Sequence, residues 1–218
     1  MNIRPILLSI FALTVCAFTS LAQTSLGLFT NAADIGSPAR AGSTQFDAAT
    51  GQYKITGSGA NIWAKQDQFQ FAWREMTGNF TVTATMHFLG KGAEHRKAGI
   101  MLRQSTDADA AYVDVILHGN GMPALQWRAR KGEDTNAFDL PLVEPGTYTL
   151  KLVRTGPKMH MYIAKEGAEP VRIGNTEVTF TGPVLAGLAV CAHDANASET
   201  VVFSNVTIAA APNPPTQP

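Results

Sequence analysis

Lys97-Ala98-Gly99-Ile100-Met101-Leu102-Arg103, then Tyr112-Val113-Asp114-Val115-Ile116-Leu117-His118 and, after Gly119-Asn120-Gly121, the run from Pro123 to Arg130 form the stretch on which the reading of this chain turns. Side chains alternate across an extended strand, so Ala98, Ile100 and Leu102 share one face and Lys97, Met101 and Arg103 the other. The second segment divides the same way, with Val113, Val115 and Leu117 set against Tyr112, Asp114, Ile116 and His118. In the third, Leu125, Trp127 and Ala129 alternate with Gln126, Arg128 and Arg130, and Pro123 falls at the strand start, where a missing amide is tolerated. Cross-strand partners lie on a common face, so Val113 must pair with Trp127, and that requires an odd number of loop residues. Gly119-Asn120-Gly121 supplies three. Tyr112 then stands opposite Arg128 and Asp114 opposite Gln126, whereas a two-residue turn would set Asp114 against Trp127 and mix the faces.

The same period of two extends in both directions. Phe80, Val82, Ala84, Met86 and Phe88 form one core face, and Tyr148, Leu150 and Leu152 another. After the Gly156-Pro157 turn, Met159, Met161 and Ile163 form a third. Phe69, Phe71 and Trp73 alternate with Gln68, Gln70 and Arg74, which predicts a half-buried strand with Gln70 and Arg74 turned away from the core. Val178 to Phe180, Val184 to His193 and Thr200 to Ile208 supply the last strands, and short edge strands such as Gln52 to Thr56 are expected near the start. No run has the period of a helix longer than a turn or two. Short strands between turn signals predict an all-β fold, a two-sheet antiparallel β-sandwich or jelly roll.

Arg4, an apolar run from Ile6 to Phe18 and the small-x-small ending Ser20-Leu21-Ala22 have the form of a secretory signal peptide over residues 1–22. Lipid modification at Cys16 is the alternative, with bulky Val15 against it. An exported domain is then expected over residues 23–209, placed in the periplasm or outside the cell, followed by a Pro-rich tail over 210–218 expected to be disordered. Losing Arg4 leaves 16 basic against 17 acidic residues. A near-neutral chain without a basic run lacks the charge on which nucleic-acid binding depends, and nothing argues for membrane insertion after signal cleavage. Cys191 is left without an internal disulfide partner and reads as a buried, inert thiol.

Gly57-Ser58-Gly59-Ala60-Asn61-Ile62-Trp63, Asp67-Gln68-Phe69-Gln70-Phe71-Ala72-Trp73, Gly78-Asn79-Phe80, the Lys97–Arg103 block, Gly187-Leu188-Ala189-Val190 and Phe203-Ser204-Asn205-Val206 resemble, in order and spacing, concanavalin-A-like lectin/glucanase sandwich domains. Such domains occur as accessory modules of bacterial β-xylosidases and as stand-alone secreted proteins. The resemblance covers nearly all of residues 25–208. It implies a concanavalin-like jelly roll and, by analogy, carbohydrate binding on the concave sheet. It carries no catalytic motif across.

The face opposite the core is expected to hold Arg103, Tyr112, Asp114, His118, Gln126 and Arg128 as ligand-binding residues, accompanied by Gln70, Arg74, His87, Lys97 and His193. Planar multi-donor side chains beside an aromatic platform, here Tyr112 or Trp63, suit a glycan. The plain alternative is a solvated outer sheet with cross-strand ion pairs. On either view these side chains are exposed, and Arg128→Ala leaves the fold nearly intact. If the site is not there, the loops around Trp63 and His193 are the next place for it. No catalytic residue, cofactor or metal ligand is assigned. Asp114 and His118 lie about 13 Å apart along one strand, Asp107-Ala108-Asp109 offers two of the six or more oxygens calcium needs, and a glycan-acting hydrolase or lyase on the polar sheet remains the alternative function.

Overall fold

The computed structural model describes residues 25–211; the expected signal peptide, its cleavage site and the Pro-rich end from Pro212 lie outside the described residues. Among those residues there are strands and no helix: β1 (Asn31–Ile35), β2 (Ser43–Asp47), β3 (Gln52–Gly59), β4 (Ile62–Trp63), β5 (Gln66–Asp67), β6 (Phe69–Met76), β7 (Phe80–Phe88), β8 (Lys97–Arg103), β9 (Tyr112–His118), β10 (Pro123–Arg128), β11 (Asn136–Asp139), β12 (Tyr148–Thr155), β13 (Lys158–Lys165), β14 (Val171–Glu177), β15 (Val184–Cys191) and β16 (Asp194–Ala210). One antiparallel sheet runs β1-β6-β15-β8-β9-β10-β11 and the other β14-β13-β12-β7-β16-β3-β2, while β4 and β5 form a separate hairpin. This is the all-β, two-sheet antiparallel sandwich expected.

The register deduced from parity is the one observed. Tyr112 pairs with Arg128, Val113 with Trp127 and Asp114 with Gln126. The loop is Gly119-Asn120-Gly121, closed by the Gly121 amide donating to the His118 carbonyl at 3.0 Å and by the His118 amide donating to the Met122 carbonyl at 2.9 Å. Gly121 takes φ +89°, a conformation that side-chain-bearing residues rarely adopt. Inside the sandwich, Ala98, Ile100, Leu102, Val113, Val115, Leu117 and Leu125 meet Phe80, Val82, Ala84, Met86, Tyr148, Leu150, Leu152, Met159 and Met161 in one continuous core, with Trp127 partly buried against it. Burying an apolar side chain of this size contributes roughly 1.5–3 kcal/mol, and this core replaces the missing disulfide as the source of stability. Cys191 is buried and free, and burial pushes its thiol up to about 11, which keeps it unreactive.

Three expectations need correction. The expected strand at Val178 to Phe180 is irregular, because β14 ends just before it at Glu177. β10 stops at Arg128, so Ala129 and Arg130 are in a bend rather than on the core face. The parity of β6 is the reverse of the one predicted. Trp73 pairs with Gly187 and Gly187 with Met101, which places Phe69, Phe71 and Trp73 on the face of Lys97, Met101 and Arg103, and Gln70 on the sandwich side, where its Nε2 donates to Thr44 Oγ1 at 3.2 Å.

That reversal is possible because the outer face of the first sheet is buried too. Ile35, Ile62, Phe69, Phe71, Trp73, Met101, Tyr112, Leu185, Ala189 and Cys191 form a second apolar cluster over it. Phe71 and Trp73 lie stacked, 5.2 Å between centroids. Gly187 sits in this layer, where a Cβ would lie 1.9 Å from the Ala72 carbonyl oxygen. Gly187→Ala therefore forces the β6 and β15 backbones apart, and overpacking of this kind costs about 1–3 kcal/mol; a urea midpoint equal to that of the wild type would show that the two strands have slack.

Candidate functional site

The hairpin β4–β5 lies across the outer face of β8, β9 and β10 and explains why that face is buried. Its anchor is Asp67, fully buried, which accepts from Arg103 Nη1 at 2.7 Å and from Arg128 Nη1 and Nη2 at 2.7 and 2.8 Å. Arg128 also donates through Nη2 and Nε to the Ala64 carbonyl at 2.8 and 3.2 Å, to the Glu133 carbonyl at 3.0 Å and to the Ala110 carbonyl at 3.0 Å. Ala64 occupies the tight turn between β4 and β5 with φ +48°. One guanidinium thus ties the hairpin turn and the loops on either side of β9–β10 to the sheet.

Arg103, Tyr112, Asp114, His118, Gln126 and Arg128 are accordingly buried, none more than 3% exposed, and the exposed polar face expected from the sequence is not present. They do cluster, in two depths. Arg103, Arg128 and Tyr112 form the deep part, with the two guanidinium carbons 5.7 and 5.0 Å from the Tyr112 ring centre and the Tyr112 hydroxyl 3.1 Å from Thr135 Oγ1. Burial holds the Tyr112 phenol well above its ordinary range, so it stays protonated. Asp114 lies between the depths. Burial raises its carboxyl well above the usual carboxylate range, opposed chiefly by Lys97 and less by the Gln126 backbone amide, and no side chain hydrogen-bonds to either oxygen.

His118 and Gln126 reach the open part, a cleft of about 280 Å³ lined by Asn61, Trp63, His95, Lys97, His118, Met122, Gln126, Asp139 and His193. Trp63, carried by β4, is 39% exposed and has the Lys97 amine 5.2 Å from its ring centre. Lys97 Nζ donates to the Ile62 carbonyl at 2.8 Å and to Gln126 Oε1 at 3.4 Å. The His95 ring lies 5.5 Å from that of His118 and 5.6 Å from that of His193. His118 Nδ1 is 2.9 Å from the Met122 carbonyl; a carbonyl only accepts, so Nδ1 carries the proton and Nε2 of the neutral ring is an acceptor. A larger cavity of about 580 Å³ adjoins the other side of His118, but much of its lining is the backbone of Gly90, Gly92, Gly119, Gly121 and Gly146. Its one arginine, Arg96, is spent on Glu199 at 2.9 Å and on the carbonyls of Gly90, Gly92 and Ala93. The smaller cleft has the platform, the donors and the acceptors.

Sequence reasoning named Trp63, Lys97 and His193 near this place but missed His95, Asn61, Asp139 and, above all, Asp67. His87 and Arg74 are not part of it: His87 belongs to β7 of the second sheet, and Arg74, on β6, pairs with Ala186 of the core row. The Asp107–Asp109 turn is occupied by a cation of the chain itself, Lys131 Nζ, at 2.6 Å from Asp107 Oδ2 and 2.7 Å from Asp109 Oδ1.

The two-sheet antiparallel β-sandwich is a fold shared with solved structures that include a lectin and a carbohydrate-binding module. Among solved structures it is similar to a functionally unknown protein from Saccharomyces cerevisiae (14% identity, 78% of this chain and 93% of that one, TM-score 0.63). It is also similar to the carbohydrate-binding module CBM66 from Bacillus subtilis (14% identity, 84% and 98%, TM-score 0.55). A third likeness is to a xylan β-1,4-xylosidase from Bacillus halodurans C-125 (18% identity, 76% and 34%, TM-score 0.55), of which the chain spans about a third. At these identities the likeness is one of fold. No protein-family model and no curated protein sequence matches the chain.

Two outcomes follow from the burial. Arg128→Ala leaves Asp67 with half its partners and the Ala64 carbonyl with only its Thr135 donors, so chemical denaturation should show a loss of about 3–5 kcal/mol, the usual effect of breaking a buried ion pair; an unchanged midpoint would mean that the hairpin is not held by this contact. Burial also lowers the His118 pKa from 6.5 to about 4. The unfolded chain then binds a proton that the folded one refuses, so this contribution is complete above pH 6.5 and is lost as the pH falls toward 4, about 3 kcal/mol in all. The raised Asp114 carboxyl works in the opposite sense, gaining stability on acidification. The comparison to make is therefore the slope of unfolding free energy between pH 6.5 and 4 in wild type and His118→Gln, with the variant expected to lose less.

Proposed function

We propose that this domain binds carbohydrate in the cleft between Trp63 and the His95, His118 and His193 rings, holding its ligand without chemical turnover. The observation that carries the reading is Trp63 itself. A large aromatic ring, half in water, is fixed over a recess that offers a lysine donor, an amide and imidazole acceptors, which is the combination a sugar's apolar ring face and hydroxyl edge require. The fold likeness to a named carbohydrate-binding module supports the same class. Arg103, Arg128 and Tyr112 act from below, holding the hairpin that carries Trp63, while His118 and Gln126 meet the ligand directly. The signal-like start of the sequence supports a place of action in the periplasm or outside the cell, checked by the N-terminal mass of exported material.

A glycan array identifies the ligand, and titration calorimetry with Trp63→Ala tests the site. The variant should lose at least about tenfold in affinity, equivalent to about 1.4 kcal/mol, with the thermal midpoint nearly unchanged because the ring is largely outside the core. Full affinity in a folded Trp63→Ala protein places the site elsewhere. Release of products from the bound glycan points instead to the hydrolase or lyase alternative.

A further inference from the structure

Resting on the carbohydrate-binding reading, we propose that the cleft selects an acidic sugar, a uronate whose carboxylate meets Lys97 while its ring lies on Trp63. The starting point is a difference among the buried cations. Arg103 and Arg128 share Asp67, Arg96 has Glu199, and Arg154, on β12 of the second sheet, has no carboxylate but lies over the Phe80 and Phe180 rings. Lys97 is 3% exposed, yet its two hydrogen-bond partners, the Ile62 carbonyl and Gln126 Oε1, are both neutral. Among the described residues no carboxylate oxygen lies within 4.0 Å of its amine. An ammonium has three donors, so one remains for the cleft. A buried charge is costly without a counter-ion, and an anion entering from the open side supplies one.

The groups around Lys97 direct that anion to one place. Beneath it, on β9, Asp114 is buried but not within 4.0 Å of the amine; burial disfavours the charge on both groups, raising the Asp114 carboxyl and lowering the Lys97 amine, so an anion that reaches Lys97 from the cleft favours its charged form. On β11, Asp139 is exposed on the rim of the cleft, where water screens its pull on the Lys97 charge. His118 presents an unprotonated Nε2, an acceptor that needs a hydroxyl donor from the ligand. A simple carboxylate at neutral pH has no such donor to give, whereas a uronate carries the anion and the hydroxyls on one ring.

The test uses the whole purified protein with trimers of galacturonate, glucuronate and mannuronate, each paired with its carboxyl-reduced, neutral counterpart, in calorimetry at pH 7. At least one acid trimer should bind about tenfold or more tightly than its reduced form. That advantage should shrink several-fold between about 50 and about 500 mM salt, as screening predicts. Lys97→Met should abolish the preference and Lys97→Arg retain part of it; should the methionine variant fail to fold, the salt series on the wild type decides. Reduced trimers bound as tightly as the acids overturn the uronate proposal and leave the carbohydrate reading standing. An acid preference that survives in a folded Lys97→Met protein also overturns it. If no trimer binds and a broad glycan screen is blank as well, both fall.

Discussion

The structure depends on a single carboxylate placed between two guanidinium groups in a space without water. Asp67 is isolated from solvent together with Arg103 and Arg128. Their attraction is strong at low dielectric, and so is the cost of leaving any one of them alone. The remaining donors of Arg128 end on main-chain carbonyls of three separate loops, so the electrostatic contact also fixes where the chain runs. The β4–β5 hairpin and its turn at Ala64 take their position over the outer face of the first sheet from that arrangement.

A sandwich usually has one apolar layer, between its sheets. Here the first sheet has apolar matter on both sides, so β8, β9 and β15 are buried throughout their length. The consequence for the site is that it is not a patch on an open sheet. The hairpin converts the sheet's outer surface into a floor, and the cleft is what remains uncovered at the end where His118, Lys97 and Gln126 emerge. Rigid surroundings of this kind hold donors and acceptors in place before the ligand arrives, which lowers the ordering cost of binding.

Much of this was legible in the residues. Alternation and loop parity identified the inner faces and the pairing of β9 with β10, because a one-residue slip would have moved a whole apolar row into water. The parity of β6 was not legible: with Phe69, Phe71 and Trp73 on one face and Ala72 beside Gln70 and Arg74 on the other, the aromatic row was bound to look like the core side. Nor was the hairpin, since β4 and β5 have two residues each and carry no period. A warning was nevertheless present. Met101, Tyr112 and Ile116 stand on the same face as Arg103, Asp114 and Arg128, and large apolar groups among charged ones on an assumed solvent face suggest a cover. Asp67, forty-five residues before Tyr112 in sequence, offered no local sign that it would be the counter-ion.

Apart from the Asp67 carboxylate, the hairpin is held through its main chain. Lys97 takes the carbonyl of Ile62, Arg128 that of Ala64, and the Gln68 amide that of Asn61. Lys65 and Gln66 at its tip are exposed, and none of those three contacts uses their side chains. Substitutions there can alter the exposed surface of the tip while the scaffold beneath keeps its contacts. In evolutionary terms the domain separates a chassis under heavy constraint from a tip under little, so drift at Lys65 and Gln66 need not pass through an unfolded intermediate.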